Sequence, residues 1–411
     1  MSFNFEVKNT IASLRQSRLK LGNVEIETPN YIMTHIETRR LTTGYNLVGS
    51  REPNPKLNEL ISDHIPDRLT AQKIFENSDE IEKLCNKLDN LTKSDRMNFV
   101  QFRLKAGNEI SKYELCQIVR LQSDMNKFSI ITIPDPTCSY NNSWIDSMEA
   151  ALYEAKVSQE VGTSELFMPT VSLAQPLLDV EKKISWLIDK QVPSIGLRAH
   201  GPHFPATLHK STNLITQSDN PIWIHLFDLS KKYKNVSQLH LAPLTSVDTI
   251  SLKKKHGYSS SKKNIMDGLL PTPENISLEP TAREIEEQKV REIKRSQRFL
   301  FEQLALGYIS INERTKWIGH ELSCTCPICK KTKDIDTFRI YLSTHDKNSL
   351  LQVHEYTGFN QEMLAIRKNI RDNDISEYFR QKILVKRHRR KLSKRYPELE
   401  RFINPPLDSY F

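Results

Sequence analysis

Short apolar runs recur along the middle of the chain, with helical stretches between them. SIITI (129–133), ELFMP (165–169), PSIGL (193–197), PIWIHLF (221–227) and the weaker SVDTI (246–250) each have the length of a strand. Between them, segments such as SWIDSMEAALYEAKVSQE and LDVEKKISWLIDK repeat apolar positions at helical spacing. This alternation predicts an α/β fold with parallel strands and crossover helices. A (β/α)8 barrel and an open doubly wound sheet both answer to it. No glycine-rich phosphate loop follows any of these strands, which counts against a nucleotide-binding open sheet.

The flanks differ in texture. RLKL and VEIETPNYIM surround LGN and read as a hairpin. Residues 50–98 are polar and read as a helical insert, as in DEIEKLCNKLDNL (79–91). The proline-punctuated stretch 271–284 reads as a linker, 285–308 as helical, and the rest as further helices. The expected organisation is therefore a barrel over 1–270, a linker over 271–284 and a helical subdomain over 285–411.

Composition narrows the class. The 411 residues are 38% hydrophobic and 27% charged, a globular balance with enough length for a large core. No apolar run approaches the roughly eighteen residues of a membrane span. The start, MSFNFEVKNT, lacks a basic-then-apolar signal, so a cytoplasmic, reducing location is expected. Net charge is +9, from 59 Lys and Arg against 50 Asp and Glu. The excess is densest in VKRHRRKLSKRY (385–396), where Lys386, Arg387, Arg389, Arg390, Lys391, Lys394 and Arg395 have no acid between them. Such a run is a candidate for contact with nucleic-acid phosphates.

CTCPICKK (324–331) holds three of the six cysteines, Cys324, Cys326 and Cys329. Zinc takes four thiolate or imidazole ligands in a tetrahedron, and one tight turn can supply three. His354, 25 positions after Cys329, is the expected fourth, with His345 and His320 as alternatives. A site with all four protein ligands is closed, hence structural.

CxCxxC followed by that histidine, behind a strand–helix alternating chain, resembles the tRNA-guanine transglycosylase family. RLKLGNVEIETPNYIM (18–33), FRLKAGNEISKYELCQIVRLQSDMNKFSIITIPDP (102–136) and VHEYTGFNQEMLAIRKNIRDN (353–373) are similar to its hairpin, its substrate-binding strand and its histidine-bearing helix. The resemblance implies a (β/α)8 barrel with a structural zinc subdomain and dimerisation through that region. It also implies exchange of guanine for a 7-deazaguanine base in nucleic acid, through a covalent aspartyl-ribosyl intermediate. The polymer is tRNA for most members and DNA for one branch; the absence of an appended RNA-binding module loosens the tRNA assignment.

Carried over by residue, Asp135 would bind the purine edge and Gly196 would let backbone approach the base. The family's nucleophile follows Val-Asp by three residues. Here V-D-T-I-S-L (247–252) puts Ser251 in strict register, and Asp248 is kept as the candidate nucleophile. The family's Asp-Ser-Gly-Gly-Phe-Gln loop has no counterpart in 50–98, although Asp63, Asp67, Asp79 and Asp95 are available. Val171 stands where the family has a glutamine. These departures leave a second expectation open, a non-catalytic relative that binds nucleic acid beside an active partner.

Overall fold

The computed structural model describes residues 3–11, 14–51, 53, 56–62, 65, 67–104, 109–137, 139–164, 166–199, 204–229, 246–252, 299–322, 324–395 and 399–403. Strands β1 (Phe3–Ile11), β2 (Leu14–Leu21) and β3 (Val24–Thr28) form an antiparallel sheet. The hairpin read from the sequence is β2–β3, and β1 adds a third strand to it.

Next come β4 (Asn30–Tyr31), β5 (Leu57–Ser62), β6 (Met97–Phe102), β7 (Ile130–Ile133), β8 (Leu166–Ser172), β9 (Ser194–Arg198), β10 (Trp223–Leu229) and β11 (Thr249–Leu252). They lie in the order β4-β11-β10-β9-β8-β7-β6-β5, with parallel pairings throughout. The sheet curls, and an isolated bridge joins Thr34, three residues beyond β4, to Glu59 of β5. Helix α1 (His35–Val48) follows β4, and α2 (Arg68–Phe75) with α3 (Ser78–Asp89) follow β5. Then α4 (Lys112–Asp124), α5 (Asn142–Glu160), α6 (Leu177–Asp189) and α7 (Phe204–Thr216) follow β6 to β9 in turn.

Alternation along the strands sorts two cores. Leu60, Val100, Ile131, Phe167, Ile195, Ile224 and Ile250 belong to the cluster that packs against the helices. Leu57, Met97, Phe99, Ile130, Leu166, Trp223 and Phe227 face the concave side, where they join Phe5, Leu19, Leu21 and Ile26 of the antiparallel sheet. Several of these lie at strand starts, so β1–β3 plugs the amino-terminal end of the curled sheet. With both faces buried, the strands read as continuous apolar runs.

Two expectations need correction. Residues 50–98 do hold the helices α2 and α3, but they also carry β5 and lead into β6, so they are part of the strand–helix alternation rather than an insert. Within 285–308, the described part starts a hairpin of β12 (Phe299–Glu302) and β13 (Gly307–Ser310), which buries the neighbours Leu300 and Phe301 and, opposite them, Tyr308 and Ile309. Residues 271–298 lie outside the described ones.

The carboxyl-terminal part continues with α8 (Ile311–Trp317), α9 (Pro327–Thr332), α10 (Ile335–Thr344), α11 (Lys347–Arg371), α12 (Ile375–Arg380), α13 (Ile383–Arg395) and α14 (Glu400–Ile403). The long α11 lies against α1, where a Cβ on Gly44 would stand 2.4 Å from the Ser349 carbonyl oxygen. Only glycine permits that approach. Arg367 of α11 also donates to the Pro29 carbonyl at 2.8 Å, which ties the helix to the plugged end. Among the described residues no helix is long and apolar enough to cross a membrane.

Candidate functional site

The cysteine turn is built locally. Cys326 caps α9, its sulfur accepting from the Cys329 N–H at 3.3 Å, and Pro327 stands at the first helical position. Helix α11 brings His354 across from the other side. The three sulfurs and one imidazole nitrogen lie within 4.8 Å of one another, with Cys326, Cys329 and His354 buried. His354 Nδ1 stands 3.2 Å from Cys329 Sγ and 3.7 Å from Cys326 Sγ. Its Nε2 is 2.8 Å from the Phe301 carbonyl oxygen, which takes the ring proton there and leaves the Nδ1 lone pair facing the sulfurs.

Hydrogen bonds from Cys324 and Cys329 pull the Cys326 thiol down to about 4. The Cys324 and Cys326 thiols beside it push Cys329 up. Three sulfurs and one imidazole nitrogen gathered this closely form a donor set that fits a metal ion such as zinc. His345 and His320 are elsewhere: one stacks on Tyr341 and the other lies 3.3 Å from Asp336, both exposed.

Asp248 lies at the amino-terminal end of the curled sheet. It precedes β11 and is fully buried beneath the plug. Arg15 of β2 binds it through both Nε, at 3.0 Å, and Nη2. Thr28 Oγ1 donates at 3.3 Å and the Ile224 N–H at 2.8 Å. Burial pushes this carboxyl up, against the pull of Arg15. Both oxygens are engaged and neither meets solvent, so its position is that of a latch rather than a nucleophile.

Asp135 follows β7 at the carboxyl-terminal end, as expected, but its oxygens are occupied. Trp144 Nε1 and Lys183 Nζ each donate to Oδ1 at 2.9 Å. Gln175 Nε2 donates to Oδ2 at 2.7 Å and the Ser172 N–H at 3.1 Å. The fully buried Lys183 also donates to the Thr137 carbonyl and to Gln175, so the network fixes the loops after β7 and β8. At Gly196 a Cβ would lie 2.6 Å from the Phe227 ring. That glycine makes room for a core side chain.

Ser251 is wholly buried in mid-sheet, its hydroxyl 3.4 Å from His225 Nε2. The Glu59 carboxylate stands 3.6 Å from the same nitrogen, and Thr249 Oγ1 lies 2.9 Å from Nδ1. This polar cluster was not foreseen, and it is sealed among Phe99, Trp223 and Phe227. Of the aspartates offered for acid–base work, Asp67 caps α2, Asp79 lies in the first turn of α3, and Asp95 is exposed. Asp63 lies outside the described residues.

The sequence reading missed Asp228. The β10–β11 register shifts between Leu226 and Leu229, and Asp228 takes φ 64°. A bulge of this kind re-aims a side chain. The carboxylate thereby turns toward β6 and β9. Arg103 binds Oδ1, while Gln101 Nε2 at 3.3 Å and Arg198 Nε at 2.9 Å reach Oδ2. Arg198 also donates to the Leu104 carbonyl and keeps 23% of its side chain exposed. An aspartate directly after the apolar WIHLF was the available signal.

Helix α13 buries Leu384, Val385 and Leu392 and exposes Lys386, Arg387, Arg389, Arg390, Lys391 and Lys394. The Arg387 guanidinium lies 3.4 Å from the centre of the Trp317 ring, a cation–π contact. The Arg395 side chain lies outside the described residues, as do the basic stretches 253–263 and 289–298.

No family model matches the chain. Part of it is similar to a tRNA dimethylallyltransferase of Campylobacter fetus subsp. fetus (strain 82-40), 28% identical over 195 residues. That match covers 46% of this chain and spans 60% of the relative's length.

Proposed function

We propose that this chain modifies nucleic acid by base exchange, replacing guanine with a 7-deazaguanine-type base, with tRNA as the favoured polymer. The observation that carries the reading is one chain holding both the curled eight-stranded parallel sheet and the Cys3His cluster. The similarity to a relative named tRNA dimethylallyltransferase agrees with the choice of tRNA, and a cytoplasmic location is part of the same proposal.

In this reading the sheet is a (β/α)8 barrel. Glu59 pairs with Phe99, Phe99 with Ile130, and Ile130 with Leu166. Four residues further along β8, Thr170 pairs with Gly196, then Gly196 with His225, His225 with Thr249, and Thr249 with Asn30. Another four residues on, Thr34 returns to Glu59. A ring closed with two such advances has the stagger of about eight that defines this barrel. Its chemistry belongs at the carboxyl-terminal mouth, where Asp228 stands.

Three described donors occupy Asp228, and a carboxylate has roughly four lone-pair directions. One remains on Oδ1. Arg103 and Arg198 fix its orientation. Oδ1 would attack the ribose anomeric carbon as the bond to guanine N9 breaks, and guanine leaves with that electron pair and then gains a proton. The incoming base, losing its N9 proton, displaces the aspartyl ester and restores the carboxylate. The zinc is structural, and the exposed face of α13 meets phosphates.

The engaged oxygens of Asp135 and Asp248 favour a second reading, a non-catalytic subunit that binds nucleic acid beside an active partner. Incubation with labelled guanine and either bulk tRNA or duplex DNA separates the two. Base exchange predicts label entering one polymer and none with Asp228→Asn. Tight, salt-sensitive binding without exchange leaves the subunit reading.

A further inference from the structure

A second polar cleft lies at the other end of the sheet. The loops entering β6, β7 and β8 surround a cavity of about 350 Å3. Lys93, Arg96, Lys127, Ser129, Thr163 and Ser164 line it, so three separate loops contribute cations and hydroxyl residues to one cleft.

The cleft is held in shape from below. Asn98, 5% exposed, accepts from the Lys93 N–H at 3.0 Å and donates to the Lys93 and Arg96 carbonyls at 2.9 and 3.1 Å. Asn58 Nδ2 fixes that amide by donating to its Oδ1 at 2.9 Å. The loop carrying two of the cations is thus pinned to the sheet before any ligand arrives, which lowers the entropy lost on binding.

A second observation points to a ligand. Ser164 is 7% exposed, and its hydroxyl has no hydrogen-bond partner. Buried hydroxyls are ordinarily paired, and an orphan calls for a missing partner. Nearby acids only partly offset the cations. Asp89 lies 2.6 Å from Lys127, which stays 50% exposed, and Asp95 lies 3.9 Å from Arg96.

We propose that this cleft binds a phosphate group, with Lys93 and Lys127 as charge partners and the Ser164 hydroxyl as donor. Cations with neutral O–H donors are the complement of a phosphate oxyanion. The volume admits a phosphate with a sugar attached, so a nucleoside monophosphate and a phosphodiester of nucleic acid share the required chemistry. The site is independent of the mouth and of the base-exchange reading.

The test is calorimetric titration of the full chain with inorganic phosphate, adenosine 5′-monophosphate and bulk tRNA. The expected result is saturable binding of the small probes, weakened at least ~10-fold in Lys93→Glu/Lys127→Glu, a loss of about 1.4 kcal/mol. Both lysines are exposed, so the variant should stay folded, its melting temperature lowered only by the loss of the Lys127–Asp89 bridge. Ser164→Ala should weaken binding by a smaller factor. If the double variant also flattens the salt dependence of tRNA binding, the phosphate belongs to the polymer; if only the small probes suffer, it belongs to a free nucleotide. No saturable heat with either small probe, or equal binding by the double variant, overturns the proposal.

Discussion

Two aspartates in this molecule are gripped by arginine, at opposite ends of one sheet. Asp248 meets Arg15 under the plug, and both side chains are nearly or wholly sealed, at 0% and 5% exposure. Asp228 meets Arg103 and Arg198 at the mouth, where one of the two arginines reaches solvent. The pairings are chemically alike, yet their settings assign them different work. Asp228 is itself buried, at 3% exposure, so what separates the two ends is that its Arg198 partner keeps 23% of its side chain in solvent. Strand polarity decides which is which, because side chains entering a parallel strand and those leaving it face different ends.

The largest disruption should come from the Cys3His cluster, the candidate metal site, which sits on the helix α11 that Arg367 ties to the plugged end. Chelation, or Cys329→Ser, is expected to unfold the carboxyl-terminal helices, since structural zinc supplies on the order of 10 kcal/mol in small domains. Hydrogen exchange should show the loss spreading to β3 before the mouth strands. Protection loss starting at the mouth would reverse the contrast.

Next in size is Arg15→Met. It leaves a buried carboxylate without its cation, a change worth about 3–5 kcal/mol in stability. Denaturant melts measure it. Asp228→Asn should cost less, about 1–2 kcal/mol, because Arg198 can turn to water. Its signature is activity instead: exchange falling by ~10³-fold or more, with the fold intact. Equal stability losses at the two ends would erase the distinction between latch and reactive group.

A pH series sharpens the closed end. Burial raises the folded pKa of Asp248 above its ordinary value of 3.8. The stability tied to that titration is therefore complete below the unfolded pKa and is lost as pH rises through the folded one. The stability of wild type relative to Asp248→Asn should accordingly be greatest in acid and decline toward neutrality. The smallest effect on stability belongs to Arg387, Arg389 and Arg390, exposed on α13. Neutralising them together should leave the melt within about 0.5 kcal/mol. Nucleic-acid binding would weaken for all sequences alike, and its salt slope would fall by up to ~3.

Much of this arrangement was legible in the sequence, and the parts that were not share a cause. The runs that became β7 to β10 are largely apolar and announce themselves, while that of β11 is weaker because Thr249 and Ser251 share one face. LNELIS and MNFVQF do not, because Asn58, Glu59, Asn98 and Gln101 put polar groups in the core, where they serve networks rather than packing. The ligand cysteines were readable because their spacing is set by the covalent chain. Asp228 was not, since its direction depends on one backbone angle at a bulge. Asp248 was noticed for its neighbours in the chain. Its role turned on Arg15, far away, which local reading cannot supply.

That distance has a consequence for assembly. Arg15 and Asp248 are separated by 233 positions, so the bond that seals the base joins nearly the first described strand to the last of the curled sheet. Synthesis delivers one partner long before the other. The early hairpin must wait, its greasy underside uncovered, until the final strand slots in, and contacts so remote along the chain form slowly. The interval before that closure is when this protein is most exposed to aggregation.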